Sequence, residues 1–313
     1  MPIPLLVTIE LAKPQRALFE QQSFELFIIS NAQKRQKFIR ETGHIIRAVL
    51  TNGSTGLNGT DISAMPALEI ICAMGAGYEN IDIPLARARG IIVTHGPGTN
   101  DTSVADHAMA LLMAIARGIV VADNAVRQGE WANIRQPRPA ISEKKLGILG
   151  LGNIGEKIAR RGAGGFGMSV AYHNRQPRAA VPWHYLPSPE ALAEWSDFLV
   201  IATPGGPETR HLVNQSVLNA LGPQGFIINI SRGSVVDTAS LIRALQQGGI
   251  AGAALDVVEG EPDIPPALKQ LSNVILTPHI ASRSPEAIAA TAQLVLANLQ
   301  ACFSGQPVIT PVP

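Results

Sequence analysis

The stretch Lys145-Leu146-Gly147-Ile148-Leu149-Gly150-Leu151-Gly152-Asn153-Ile154-Gly155 lies near the middle of the 313-residue chain. A short apolar run of strand length breaks at Gly150, Gly152 and Gly155, and a helix-forming segment over 156–161 follows. Strand, glycine turn and helix in that order give the G-x-G-x-x-G pattern the context of a dinucleotide-binding turn. Gly150 permits the tight turn, Gly152 leaves a pyrophosphate unobstructed, and Gly155 lets helix and strand pack closely. The helix N-terminus offers its free N–H groups and partial positive charge to the anion.

Strand signals extend from this turn in both directions. Downstream they fall at 146–149, 169–173, 198–202, 226–230, 253–257 and 274–276. Upstream a separate set falls at 5–9, 26–30, 48–51, 68–73 and 91–94. Helix-like segments separate the runs, which is the βαβ rhythm of a parallel sheet. Ser188-Pro189 and Ser284-Pro285 each place a capping residue before proline at the first helical position, and Asp237 opens a helix that Gly248 closes. Between the two sets lies the turn-rich His95-Gly96-Pro97-Gly98-Thr99-Asn100-Asp101. The segment 103–117 after it is apolar nearly all round, which predicts a helix buried on every side. The proline-rich tail 306–313 cannot add a central strand and is expected to return to the first domain. The fold class is therefore α/β, with two doubly wound parallel-sheet domains. The expected boundaries are 1–98 plus 286–313 for a flavodoxin-like substrate domain and 99–285 for a Rossmann dinucleotide-binding domain.

Composition narrows the function further. Hydrophobic residues make up 46% and charged residues only 16%, against about 25% charged in an average globular chain. Such a sequence can fill large cores and an oligomer interface. A net charge of +1 recruits neither nucleic acid nor an anionic membrane. The two cysteines, Cys72 and Cys302, lie in apolar surroundings and read as free thiols, and no histidines stand at metal-ligand spacing. The N-terminus lacks the basic start of a signal peptide, and no apolar run is long enough to span a bilayer. A soluble, cytoplasmic protein without a metal site is expected.

Five stretches carry a resemblance. They are Met74-Gly75-Ala76-Gly77-Tyr78-Glu79-Asn80-Ile81-Asp82, the glycine turn from Gly150 to Gly155, Asn229-Ile230-Ser231-Arg232-Gly233-Ser234-Val235-Val236-Asp237, Ala254-Leu255-Asp256-Val257-Val258-Glu259-Gly260-Glu261-Pro262, and Thr277-Pro278-His279-Ile280-Ala281-Ser282. In this order and spacing the chain resembles the D-2-hydroxyacid dehydrogenases over nearly its whole length. The resemblance implies a catalytic trio of Arg232, Glu261 and His279, a cleft between two α/β domains, and a homodimer. It adds Asn153, Ile154, Thr203 and Ile230 to the cofactor's contacts and sets Asp256 against the nicotinamide carboxamide.

The reaction of such an enzyme moves a hydride between nicotinamide C4 and C2 of a 2-oxo or 2-hydroxy acid. It needs an acid/base, a cation and anion-binding amides. His279 suits the proton, because an imidazole titrates near neutrality and this one follows a strand at the carboxyl edge of the sheet. Glu261 would accept a hydrogen bond from the other ring nitrogen. Glu259 lies close enough to compete, and only the family register selects Glu261. Arg232 can grip a carboxylate bidentately and polarise the carbonyl oxygen. The small-residue turn Gly75, Ala76 and Gly77, with Met74 at its rim, can offer successive amides to the substrate carboxylate. Trp131, on a turn-rich arm over 127–141 that resembles the family's dimer loop, reads as interface packing.

Cofactor choice falls about twenty positions past the glycines. Enzymes that use NAD normally carry Asp or Glu there, whereas this chain has Asn174 followed by Arg175, with Arg178 beyond. An arginine pairs with a 2′-phosphate that a carboxylate would repel, so NADP(H) is expected over NAD(H). Within the family the Asn174-Arg175 pair resembles the NADPH-dependent reductases of glyoxylate and hydroxypyruvate, and related 2-ketogluconate or hydroxyphenylpyruvate reductases. The alternatives are a nucleotide-sensing corepressor on the same fold and a sibling dehydrogenase for formate or phosphite.

Overall fold

The computed structural model describes residues 2–313. The chain forms two compact units, one reaching to Asn100 and completed by Arg283–Pro313, the other spanning Asp101–Ser282.

The first unit begins with β1 (Ile3–Val7), α1 (Lys13–Glu20), β2 (Phe24–Ile28), α2 (Ala32–Thr42), β3 (Ala48–Thr51), α3 (Gly59–Ser63), β4 (Ile70–Ala73), α4 (Ile83–Ala88) and β5 (Ile92–Thr94). Its five strands are all parallel, in the order β2-β1-β3-β4-β5, the flavodoxin-like order with its switch between β1 and β3. The first two strands start two residues earlier than the apolar pattern suggested. Pro4 is tolerated inside β1 because the ladder to β3 begins only at Leu5.

The second unit contains α5 (Asp101–Arg117), α6 (Ile119–Arg127), β6 (Lys145–Leu149), α7 (Asn153–Phe166), β7 (Ser169–His173), β8 (His184–Tyr185), α8 (Pro189–Trp195), β9 (Phe198–Ile201), α9 (Gln215–Leu221), β10 (Phe226–Asn229), α10 (Thr238–Gln246), β11 (Gly252–Leu255), α11 (Pro266–Lys269) and β12 (Val274–Leu276). Seven parallel strands run β12-β11-β10-β9-β6-β7-β8. The order reverses between β6 and β9, so a switch-point crevice opens beside the loop after β6, where α/β sheets bind ligands. Alternate residues of each buried strand face opposite layers. Leu146 and Ile148 join α5 and α7 in one core, and Leu149, Leu199 and Ile201 join α8, α9 and α10 in the other.

α5 departs from the all-round burial expected of it. Val104, Ala105, Ala108, Leu111, Leu112 and Ile115 are buried, but Thr102, Asp106, Ala110 and Arg117 form an exposed stripe at helical spacing. Small alanines blur the apolar periodicity without requiring burial. At Gly118, with φ +61, the chain bends by 59° into α6. Among the described residues no single helix is long and apolar enough to cross a membrane.

The chain ends in α12 (Pro285–Phe303), which belongs to the first unit. Its Val295, Leu296 and Leu299 share a core with Leu5, Val7, Leu50 and Ile70. The tail does return to that unit, at the sheet edge, where Val312 N–H donates to the Val93 carbonyl at 2.8 Å. The expected caps form as well. Ser188 and Ser284 side chains accept from Ala191 and Ala287 N–H, and Asp237 accepts from Ala239 and Ser240.

Candidate active site

The glycine turn shows why each glycine is needed. Gly150 stands at φ +100, and a Cβ there would lie 2.7 Å from the Ala202 carbonyl carbon and Thr203 nitrogen across the switch point. A Cβ on Gly155 would lie 2.3 Å from the Gly150 oxygen, so only glycine lets α7 sit on β6. Gly152, the N-cap of α7, has nothing within 4 Å of its would-be Cβ. That open space in front of a helix N-terminus fits a pyrophosphate. Asn153 and Ile154 form the first turn of α7 behind it.

Beyond β7, Asn174 turns its side chain onto this same loop. Its Oδ1 accepts from Leu151 N–H at 2.7 Å and its Nδ2 faces the Leu151 carbonyl at 3.4 Å. Arg175 is 85% exposed and pairs with Glu208 at 2.6 Å. Arg178 donates to the Leu151 carbonyl and to Glu156. Two arginines therefore stand around an uncharged Asn174 where a ribose-reading carboxylate would otherwise be.

On the other side of the switch point, the Ser231 hydroxyl donates to the Thr203 carbonyl, and Ile230 N–H donates to Ile201 O at 3.3 Å. Asn229, 1% exposed at the end of β10, brackets the following turn, accepting from Ser231 N–H and donating to the Arg232 carbonyl. The Arg232 stem lies over Gly205, whose would-be Cβ falls 2.6 Å from Arg232 Cγ. Gly233 meets the next loop so closely that a Cβ would lie 2.1 Å from the Val258 carbonyl carbon. This contact brings the loop after β11 against the turn that carries Arg232. Gly205 had no place in the sequence expectations, and Asn229 and Gly233 stood in a quoted stretch without a role of their own, although a polar residue ending an apolar strand was a visible signal.

Two glutamates on that loop take different partners. Glu259 pairs with His211 Nε2 at 3.0 Å and Arg210 Nη1 at 3.0 Å. Glu261 meets His279, with Nδ1 to Oε1 at 2.6 Å, both side chains about one-third exposed (33% and 32%). A carboxylate can only accept, so Nδ1 carries the proton and Nε2 is left for other chemistry. Burial opposes ionisation of Glu261. The His279 hydrogen bond and charge, the Val258 N–H and the Arg232 charge outweigh it and hold the carboxyl below its ordinary value.

His279 itself sits at φ +54, a left-handed conformation that is unfavourable for a residue with a Cβ. Asp256 holds it there. This carboxylate, 2% exposed, accepts from Thr277 Oγ1 at 2.6 Å, Ile280 N–H at 2.9 Å and Ala281 N–H at 2.9 Å. His279 N–H donates to the Asp256 carbonyl, and His107 Nε2 lies 3.1 Å from Thr277 Oγ1. Asp256, for which the resemblance implies a place at the nicotinamide, also anchors the histidine loop through its carboxylate. His107 and Thr277 complete that clamp.

In the first unit, Met74 N–H donates to the Thr51 carbonyl at 2.7 Å, which ties the start of the Gly75-Ala76-Gly77 turn to the end of β3. Gly75 stands at φ +129 with open space around its would-be Cβ.

The reversed strand order, the glycine turn at the switch point and the histidine–glutamate pair at the carboxyl edge of the same sheet, beyond β11 and β12, define a nicotinamide-dependent dehydrogenase. A family model described as D-isomer specific 2-hydroxyacid dehydrogenase, NAD binding domain, matches residues 109–281. The chain is 39% identical to the 2-ketogluconate reductase of Gluconobacter oxydans over 99% of this chain and 98% of that protein. It is 40% identical to a glyoxylate/hydroxypyruvate reductase of Arabidopsis thaliana over 93% of each. The NADPH-dependent glyoxylate/hydroxypyruvate reductase of Sinorhizobium meliloti, solved in complex with NADP and malonate, superposes with a TM-score of 0.91 at 38% identity, covering 100% of this chain and 97% of that one. The chain belongs to the D-isomer specific 2-hydroxyacid dehydrogenase family.

Proposed function

We propose that the protein is an NADPH-dependent reductase of small 2-oxo acids that forms the D-2-hydroxy acid. The observation that carries this reading is the 2.6 Å pair of His279 and Glu261. The nicotinamide supplies the hydride to C2 when bound. The His279 ring gives the Nε2 proton to the carbonyl oxygen, and Glu261 keeps the ring oriented through Nδ1–H. Arg232 grips the substrate carboxylate and polarises the carbonyl, and the Ala76 and Gly77 amides supply further donors. The relatives named above are reductases of 2-oxo acids, which disfavours formate or phosphite as substrate. The corepressor alternative requires tight nucleotide binding without turnover.

The preference for NADPH rests on Asn174 and Arg175. Steady-state kinetics on glyoxylate, hydroxypyruvate, 2-ketogluconate, pyruvate and 4-hydroxyphenylpyruvate with both nicotinamides tests the function directly, and NADPH oxidation on none of them would refute it. In the same assay, Arg175→Asp is expected to weaken NADPH binding about 10- to 100-fold, the cost of losing a charge-assisted contact and adding a repulsive one. An unchanged NADPH/NADH ratio would overturn the assignment.

We also place a second copy of the chain on the surface formed by α6 and the arm after it. Ile119, Val120, Val126 and Trp131 are 56%, 44%, 42% and 66% exposed there. Val120 also lines a cavity of about 350 Å³, together with Val121, Pro139, Phe226 and Ile275 among others. Grouped apolar side chains of this kind mark an interface. Sedimentation is expected to show a dimer, and Val120→Glu a monomer. A wild-type monomer at micromolar concentration would exclude this assembly. The cytoplasmic setting expected from the sequence accords with Cys72 and Cys302, both free thiols.

A further inference from the structure

Two of the carbonyls of the Gly75-Ala76-Gly77 turn, those of Gly75 and Ala76, are fastened from behind. Gly96 N–H donates to the Gly75 carbonyl at 2.7 Å. His95 Nδ1 lies 3.0 Å from the Ala76 carbonyl. A carbonyl only accepts, so Nδ1 carries the hydrogen. The peptide bonds of this turn are trans, and in a trans peptide the C=O and N–H point opposite ways. Holding the carbonyls of Gly75 and Ala76 on one side therefore turns the N–H groups of Ala76 and Gly77 to the other, the arrangement an anion-binding nest requires.

His95 is itself fixed. Its N–H donates to the Thr310 carbonyl at 3.2 Å, and its carbonyl accepts from Thr310 Oγ1 at 2.6 Å. Thr310 is held by Asn298, 1% exposed, whose Oδ1 accepts from Thr310 N–H and whose Nδ2 donates to Thr310 Oγ1. The Tyr78 ring meets the imidazole edge-on, with centroids 5.1 Å apart at 85°. A buried asparagine, the C-terminal tail and His95 thus form a chain of contacts ending on the back of the turn.

We infer that His95 is a positioning residue for the substrate carboxylate, acting through the Ala76 carbonyl to aim the Ala76 and Gly77 amides. This rests on the proposed role of the turn in carboxylate binding. Substitution by asparagine places an amide nitrogen where Nδ1 now stands but removes the ring, and leucine removes the donor altogether. With oxamate as a non-reducible analogue of a 2-oxo acid, His95→Leu is expected to raise the oxamate dissociation constant and the substrate KM about five- to tenfold, the loss of one positioned hydrogen bond. kcat at saturation and NADPH affinity should stay near wild type, and His95→Asn should recover most of the loss. Equal losses in the Leu and Asn variants would assign the effect to ring packing and overturn the hydrogen-bond role. A Leu variant with wild-type oxamate affinity would also overturn it. Amide ¹H–¹⁵N shifts of Ala76 and Gly77 during oxamate titration separate the two layers. If they stay still, carboxylate binding at the turn is itself wrong. If they move while His95→Leu binds normally, only the role of His95 falls. Thermal midpoints and NADPH binding, read on the same variants, confirm that each is folded.

Discussion

His279→Gln is expected to lower kcat for 2-oxo acid reduction about 1,000-fold, within the range that a positioned proton donor contributes. Glutamine can still hydrogen-bond to a carbonyl oxygen, but it has no proton to give. NADPH affinity should be unchanged, because the glycine turn and Arg175 are untouched. Glu261→Gln should fall between wild type and His279→Gln, since a carboxamide oxygen still accepts from Nδ1–H without the negative charge. A kcat within threefold of wild type for His279→Gln would remove this residue from the chemistry. The pair also has a signature in stability. The folded-state pKa of Glu261 lies below its ordinary 4.5, so the stability it contributes is complete at neutral pH and above 4.5. It is lost as pH falls through the lower, folded-state value. The stability difference between wild type and Glu261→Gln should accordingly close on acidification.

Asp256→Ala should damage both fold and turnover. Its carboxylate satisfies Ile280 N–H, Ala281 N–H and the Thr277 hydroxyl in a site that is 2% exposed. Removing it leaves buried donors unpaired, at a cost of about 3 kcal/mol by the usual scale for hydrogen bonds to a charged group. The loop no longer holds His279 at φ +54, and a displacement of about 1 Å at an acid/base residue is worth roughly 100-fold in rate. Asp256→Asn keeps one acceptor oxygen but sets an amide group against N–H donors, so it should recover only part of each loss. Calorimetry and single-turnover reduction of glyoxylate measure the two effects separately. A variant with normal thermal midpoint and normal rate would show that the clamp is not needed.

Much of the architecture could be read from the chain because parallel strands buried on both faces are nearly continuous apolar runs. The glycine turn was legible for a different reason, since backbone crowding at Gly150 and Gly155 restricts those positions to one residue type. β8, only two residues long, carries no pattern. The exposed stripe on α5 shows in the sequence only as Thr102, Asp106 and Arg117, and its period is interrupted at Ala110 because alanine suits either environment. The site divides in the same way. Arg232, Glu261 and His279 stand in recognisable local motifs, but the choice between Glu259 and Glu261 depends on how a loop crosses Gly233, a long-range contact that no local signal encodes. Asn174 drew notice for the charge it lacks, yet its amide is directed at Leu151, which only the folded chain reveals. His95 gave no signal, because its partner lies nineteen residues upstream.

The discontinuous first unit has a consequence for synthesis. Leu5, Val7, Leu50 and Ile70 share their core with Val295, Leu296 and Leu299 of the last helix. At ribosomal rates of about 5–20 residues per second, those early strands wait roughly 10 to 60 s for their covering helix. The intervening unit is contiguous and can close meanwhile. Nascent chains should therefore mature from the middle outward, with the leading apolar sheet in need of chaperone shelter until α12 has emerged.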